Sequence, residues 1–314
     1  MLRLLALLAA TIPLAHAQTT YRIGLLNEGR NVELQTEVAR ALAQRDYVEG
    51  KNLVLEARSS MGDGKVLRQA AEEFVRLKLD AVIATSTRPA VVMRELTSTV
   101  PIIVSTADAV GAGLVASLAR PGGNVTGVLT PLADLAAKRV QLFKELLPNL
   151  TRATVLWNPE ALTTDRQFVA VRAAARPLGI AIDSVETRSA ADLDRALAAM
   201  AANPPQAVIV LQSSLLLNAS ERLAPFALKH RIPISHPYRR FPDAGGLFSY
   251  GSTAREHQEL MAMQLDKILK GAKPAEVPVV LPERFELVIN AKTAQALGIQ
   301  IPRGLLMRAT EVLR

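Results

Sequence analysis

A chain of 314 residues that is 49% apolar has material for one large core or two medium ones, and its formal charge of +8 comes from 37 Lys and Arg against 29 Asp and Glu. The absence of cysteine excludes disulfides, thiolate metal sites, cysteine nucleophiles and a lipid-modified cysteine at a cleavage site. The basic residues are spread without a dense run and aromatics make up only 4%, so the charge reads as a basic solvated surface with no nucleic-acid partner.

Residues 1–17, MLRLLALLAATIPLAHA, join one basic residue (Arg3), an apolar run at 4–14 and a small-x-small site at Ala15-His16-Ala17. That layout predicts a signal peptide cleaved before Gln18, too short to span a bilayer, and a mature chain exported to a periplasm. Strand-like runs follow at 21–26, 53–58, 81–84 and 101–105, separated by helical patterns such as VELQTEVARALAQR and KVLRQAAEEFVRLK. A second series occupies 153–157, 180–186, 207–211 and 232–235. Alternation of this kind predicts βαβ units and parallel sheets. The two series echo each other: DAVIATST at 80–87 parallels QAVIVLQS at 206–213, each followed by a short helix and then VPI or IPI. The expectation is an α/β chain of two similar lobes.

Three segments with Gly or Pro breaks and β-prone pieces are candidates for crossing between lobes: RPGGNVTGV at 120–128, DAGGLFSYG at 243–251 and AEVPVVLPERF at 275–285. They predict discontinuous lobes, one built from 18–126 plus 249–280 and the other from 127–248 plus 281–314, with hinges near 123–128, 246–251 and 278–285.

In open parallel sheets ligands bind at the carboxyl ends of the strands. The candidate ligand-binding residues there are Asn27, Glu28, Thr85, Ser86, Thr87 and Asp108 in the first series, and Asn158, Gln212, Ser213, His236 and Tyr238 in the second. Pro89 suits a first helical turn, so the TSTRPAVV loop offers either a helix N-terminus that favours an anion or simple capping. Asp108 is placed either to accept from an ammonium or hydroxyl group or to cap a helix beginning near Val110. Together the two loops suit the opposite charges of an α-amino acid. Trp157 and Tyr238 end strands, where they either stack on a ligand or pack in the core.

Rival chemistries are weaker. Gly111, Gly113 and Ala116 follow a strand in G-x-G-x-x-A order, yet five residues separate Ser105 from Gly111 and Asp108 would repel a phosphate, which argues against a nucleotide cofactor. LFSYG at 247–251 lacks the first glycine of G-x-S-x-G, and His230, His236 and His257 form no evident triad or metal pair, so no enzyme is expected.

The segments YVEGKNLVLEAR, GLVASLARPGGNVTGV, VLWNP, AGGLFSYG, KILKGAKPAEVPV and FELVINAKTAQALGIQIP resemble the ABC-transporter substrate-binding family, in particular its tryptophan/tyrosine-type and uncharacterised members. The resemblance runs through the whole mature chain. It implies a type I periplasmic-binding-protein fold with two Rossmann-like lobes and three crossovers, no cofactor and no catalytic residues. It also implies a monomer that captures a small molecule by lobe closure, and an inner-membrane ABC permease as partner; a ligand sensor of the same fold is the alternative. By position, its ligand loops fall on Asn27 and Glu28, on 85–87, on Asp108, on Asn158 and on 238–246, which adds Gly246. The DPVG element of the family reads Asp108-Ala-Val-Gly111 here, and Arg88 replaces a small residue, so the ligand itself stays open between an amino acid and another aromatic or aliphatic carboxylate.

Overall fold

The computed structural model describes residues 19–29, 32–162 and 164–314; the expected leader at 1–17 lies outside them. The first lobe begins with β1 (Tyr21–Asn27), α1 (Val32–Ala43), β2 (Leu53–Ser59), α2 (Gly64–Arg76), β3 (Ala81–Ala84), α3 (Thr87–Leu96), β4 (Ile102–Thr106) and β5 (Val125–Leu129). Its five strands are all parallel, in the order β2-β1-β3-β4-β5. Sequence chemistry accounts for the elements locally. Asp63 caps α2 by accepting from the N–H groups of Lys65 and Val66, and Leu67, Ala70, Ala71 and Phe74 recur at helical spacing on its buried face. Strand β3, AVIA, is buried at all four positions, as a strand covered by helices on both faces must be.

The second lobe takes α4 (Leu132–Leu146), β6 (Arg152–Trp157), α5 (Thr164–Ala175), β7 (Ala181–Glu186), α6 (Ala190–Ala202), β8 (Val208–Val210), α7 (Ser214–Asn218), α8 (Ser220–Lys229), β9 (Ile234–His236), α9 (Arg240–Asp243) and β10 (Phe248–Ser252). The chain then returns to the first lobe through α10 (Ala254–Leu269), which packs on α1, β4 and β5. It ends in the second lobe with β11 (Phe285–Asn290), α11 (Ala291–Ala296), α12 (Arg303–Arg308) and β12 (Glu311–Leu313). The second sheet has seven strands, β12-β11-β10-β9-β8-β6-β7, with β11 antiparallel to β10. Alternate strand residues feed opposite faces. Ile23, Ile83 and Ile103 meet α1 and α10, whereas Leu26, Val82 and Val104 meet α2 and α3; in the second lobe Val155 and Ile209 face one core, Leu156 and Val210 the other.

Three crossings join the lobes; the third falls within the expected 278–285, and the first two do not fall at the expected residues. RPGGNVTGV does not cross: β5 completes the first sheet beside β4, and the chain passes over at 130–131. Phe248–Ser252, expected to leave the second lobe, pairs there with β9 and β11, so the crossing falls at Thr253. The third segment stays on the first lobe through Val280, whose N–H donates to Gly127 O at 3.0 Å, and crosses at 281–284. The reason is common to all three: β-prone pieces beside a sheet edge satisfy their backbone groups by joining the sheet, which leaves the crossings to short connectors. Two side chains tie the connectors together. Gln264 Nε2 donates to Gly127 O at 3.2 Å and Pro278 O at 2.6 Å, and Glu256 Oε1 accepts from the N–H groups of Glu283 and Arg284 at 3.0 and 3.1 Å.

Candidate functional site

The loops at the carboxyl ends of β1, β3 and β4 oppose those of β6, β8, β9 and β10, and one ion pair spans the gap: Arg166 Nη1 on α5 lies 2.7 Å from Asp108 Oδ2, in the loop after β4. The guanidinium also lies over Gly111, where a Cβ would stand 2.7 Å from Arg166 Nη2 and 2.1 Å from Asp108 Oδ2. Asp108 therefore faces the other lobe, but its carboxylate is engaged by a protein cation and by the Gly111 N–H at 2.9 Å. Neither expected helix cap nor nucleotide cradle forms there, since 109–120 is a series of turns and no helix N-terminus follows Gly111.

On the first lobe, Asn27 is spent on its own turn: Oδ1 accepts from Gly29 N–H at 3.1 Å and from the Thr85 hydroxyl at 3.0 Å, and Nδ2 donates to Gly29 O at 2.8 Å. Ser86 stands at the N-cap of α3, yet its hydroxyl donates to Glu28 Oε2 at 2.5 Å and does not cap the helix. Glu28 thus places a carboxylate beside the positive end of α3, and Arg88 approaches its other oxygen only to 3.7 Å. Thr87 is buried and shares a 2.8 Å hydrogen bond with Thr106. Among the described residues, this rim carries the carboxylates of Glu28 and Asp108 beside the guanidinium of Arg88.

On the second lobe, Asn158 shapes its loop, accepting from Glu160 N–H at 2.9 Å, while its carbonyl accepts from the Thr164 hydroxyl at 2.6 Å. Ser213 caps α7 through Leu216 N–H at 3.3 Å. Gln212 and Tyr238 line a small closed cavity, of about 10 Å³, with Arg139, Gln167, Gly251 and Ser252; that is the room one water needs. Two wider depressions, around Arg172–Ile182 and around Thr97 and Asn124, lie at the amino ends of strands and away from this rim. Gly246 is also remote. It precedes β10, packed so tightly on Phe241 that a Cβ would stand 2.2 Å from ring carbon Cε1, so its requirement for glycine is packing and not ligand approach. Trp157 is core: 9% exposed, stacked 4.7 Å from Phe168 at 10°, with its indole N–H donating to the Ser184 hydroxyl at 2.8 Å.

Sequence reasoning missed Arg139, Arg166 and Gln167. Arg139 has a legible signal, because Ala136, Arg139, Val140 and Phe143 share the buried face of α4 and a cation in an apolar stripe is out of place. Its guanidinium is 1% exposed and donates to Tyr250 O at 3.3 Å and Val210 O at 3.2 Å. Burial pulls its pKa down to about 10, with Tyr238 acting in the opposite sense. His236, fully buried, is pushed down to about 3 by burial and by the Arg139 charge; its Nδ1 accepts from Tyr238 N–H at 3.2 Å and it meets the Ser220 hydroxyl at 3.3 Å, so it is a neutral structural imidazole. Ser249 is buried within β10 opposite His236 on β9, but its hydroxyl has no hydrogen-bond partner and the His236 ring nitrogens are taken by the Ser220 hydroxyl and the Tyr238 N–H. Among the described residues no group of three His, Cys, Asp or Glu is placed to hold a metal ion, and no helix is long and apolar enough to cross a membrane.

Two Rossmann-like lobes, three crossings and opposed strand-end loops define a type I periplasmic-binding-protein fold, the class that closes on a small molecule. Residues 30–313 match the model of the ABC transporter substrate binding protein family, and the chain belongs to that family. It is therefore a substrate-binding protein that presents a small molecule to an ABC transporter. Similar proteins include the tyrosine-binding protein of Clostridioides difficile strain R20291, 24% identical over 262 residues, which are 83% of this chain and 75% of that one. Among solved structures, a conserved domain protein from Vibrio cholerae is 27% identical with a TM-score of 0.85, covering 94% of this chain and 100% of that one. The ABC domain in complex with L-Trp from Streptococcus pneumoniae is 26% identical, also with a TM-score of 0.85, over 94% and 100% of the two chains.

Proposed function

We propose that this protein captures an α-amino acid with an aromatic or large apolar side chain between its lobes, after export to the periplasm, and delivers it as a monomer to an inner-membrane ABC permease, with no chemistry of its own. The observation that carries the reading is the meeting of the two strand-end rims, which touch through Asp108 and Arg166. A ligand held there contacts both lobes, and only a ligand that contacts both shifts the population toward the closed form. The tyrosine- and tryptophan-binding relatives support the ligand class. The Glu28 carboxylate supports an ammonium at the first lobe.

The test is a thermal-shift screen of the chain from Gln18 onward against the twenty amino acids, aliphatic carboxylates, sugars and NAD. At about 100 times its dissociation constant a true ligand adds about 2.7 kcal/mol of stability. A rise with L-tyrosine, L-tryptophan or a large apolar amino acid is the expected result; a rise with sugars or NAD alone sinks the reading.

A further inference from the structure

Arg139 has no carboxylate or other acidic partner among the described residues, although its guanidinium is 1% exposed and lies within the second lobe. A buried cation of this kind is strongly unfavourable unless an anion and a full set of hydrogen bonds compensate it. Two backbone carbonyls, those of Val210 and Tyr250, take one bond each from Nη2 and Nη1, and Nε is left without any partner. The charged and titratable neighbours do not help. Tyr238 is held neutral, with burial raising its phenol pKa, and His236 is neutral and closer to being a competitor than a counterion.

The position of the group is informative. Val210 ends β8, Tyr250 is the middle residue of β10, and the cavity beside the guanidinium reaches Gly251 and Ser252 at the end of β10, so the group lies just beneath the rim of the second lobe. It lines the closed cavity there with Gln167, Gln212, Tyr238, Gly251 and Ser252. Gln167 and Gln212 brace each other, Gln212 N–H donating to Gln167 Oε1 at 3.0 Å, which fixes the wall beside the guanidinium. No acidic side chain lines the cavity. On the first lobe, Glu28 takes the Ser86 hydroxyl on one oxygen and approaches Arg88 at 3.7 Å with the other.

From this arrangement we infer that Arg139 is the anion anchor of the second lobe, its planar fork of N–H donors taking the carboxylate of the ligand where the cavity now has room for one water, with the Gln167–Gln212 wall moving outward to admit it, while Glu28 of the first lobe takes the ammonium. The inference rests on the amino-acid reading above and gives the ligand an orientation. It also supplies a reason for closure, because a zwitterion so held has one charge on each lobe and satisfies both only when the lobes meet.

The experiment is a calorimetric titration of wild type, Arg139→Lys and Arg139→Gln with paired probes: L-tyrosine and L-tyrosinamide, L-tryptophan and L-tryptophanamide, 3-phenylpropionate and 3-phenylpropionamide. Wild type is expected to prefer each acid it binds over the matching amide, and Arg139→Gln to lose about 100-fold in affinity for the acid while its amide affinity changes little. Loss of that preference is not produced by a merely structural arginine, which would change both probes together. If Arg139→Gln does not fold, Arg139→Lys carries the test, since it keeps the charge and loses the fork; an expected drop in acid preference of about tenfold or more supports the anchor. An unchanged acid-to-amide ratio in a folded variant overturns it. Binding of 3-phenylpropionate without any amino acid, lost in Arg139→Gln, overturns the amino-acid reading and leaves the anion anchor standing. Wild type that binds acids and amides equally, or only neutral sugars, overturns the anchor.

Discussion

The contact between Asp108 and Arg166 is the one described ion pair that joins the loop after β4 to α5, and it sets a measurable cost on opening. Replacing Arg166 by Ala removes a bond that exists only while the lobes touch. The pair is close, 2.7 Å, but Arg166 is 57% exposed at its side chain, so solvent screening limits its worth to about 1 kcal/mol or less. A loss of that size confined to the closed state weakens ligand affinity by about fivefold at most. The dependence on salt is a second signature: the difference between wild type and Arg166→Ala should shrink as ionic strength rises toward 1 M, where charges beyond about 3 Å are screened. The assay is calorimetric titration with L-tyrosine or L-tryptophan at low and high salt, run as a double-mutant cycle with Asp108→Asn. Asn keeps an acceptor for the Gly111 N–H while removing the charge, so the cycle isolates the ion pair. If Arg166→Ala instead tightens binding, Asp108 is freed to take the ligand ammonium and the contact competes with cargo; that result refutes the closure role argued here.

Three further predictions concern stability. His257 is half-buried, donates to or accepts from the Ser105 hydroxyl at 2.7 Å, and desolvation of its ring pushes its pKa down to about 4 from an ordinary 6.5; the fully buried His236 is pushed down to about 3. Both are neutral in the folded state, so their stabilising contribution is complete above about pH 6.5 and falls as the pH drops through the unfolded value toward the folded ones, by up to about 1.4 kcal/mol per His per pH unit. Urea midpoints between pH 6.5 and 5, before most carboxylates titrate, check this, and His257→Gln should flatten the slope by roughly half; an unaltered slope rejects the assignment. Gly246→Ala should destabilise by about 1–3 kcal/mol in chemical denaturation through collision with the Phe241 ring, and leave ligand affinity unchanged in the fraction that folds. Gln264→Ala strips the carbonyls of Gly127 and Pro278 of their shared donor and should cost about 2 kcal/mol, read as a lower urea midpoint.

Much of this architecture is legible in the chain. Apolar runs of four to seven residues spaced by amphipathic helical patterns marked β1–β4 and β6–β9, because parallel strands buried on two faces leave so plain a signature, whereas β5 and β10 read as crossings and β11 and β12 carried no such signal. The first two crossing points were misplaced because glycine and proline mark breaks in helices, whereas the crossings are set by which edge the neighbouring β piece can join, a tertiary matter; the third falls within the expected 278–285. The candidate site divides in the same way. Strand ends were placed correctly by pattern, so Glu28, Asp108, Gln212 and Tyr238 do lie at the rims. What each side chain does there depended on partners far away in sequence, Arg166 for Asp108 and Ser86 for Glu28, which no local pattern encodes. Asn27, Asn158 and Ser213 turn out to brace loops and a helix end, the commonest work for short polar side chains at such positions. Arg139 is legible as a cation in an apolar helical stripe, but it lies mid-helix in α4 and only tertiary packing brings it beside the strand ends.

The most direct test of the account is small-angle X-ray scattering of the chain from Gln18 onward, with and without saturating L-tyrosine and L-tryptophan. Capture between two lobes predicts a smaller radius of gyration with whichever of the two binds, and no such compaction with glycerol or D-glucose at equal concentration. Binding of either amino acid with an unchanged radius would contradict it, placing the cargo on one lobe or on an outer surface and removing the cleft from the mechanism.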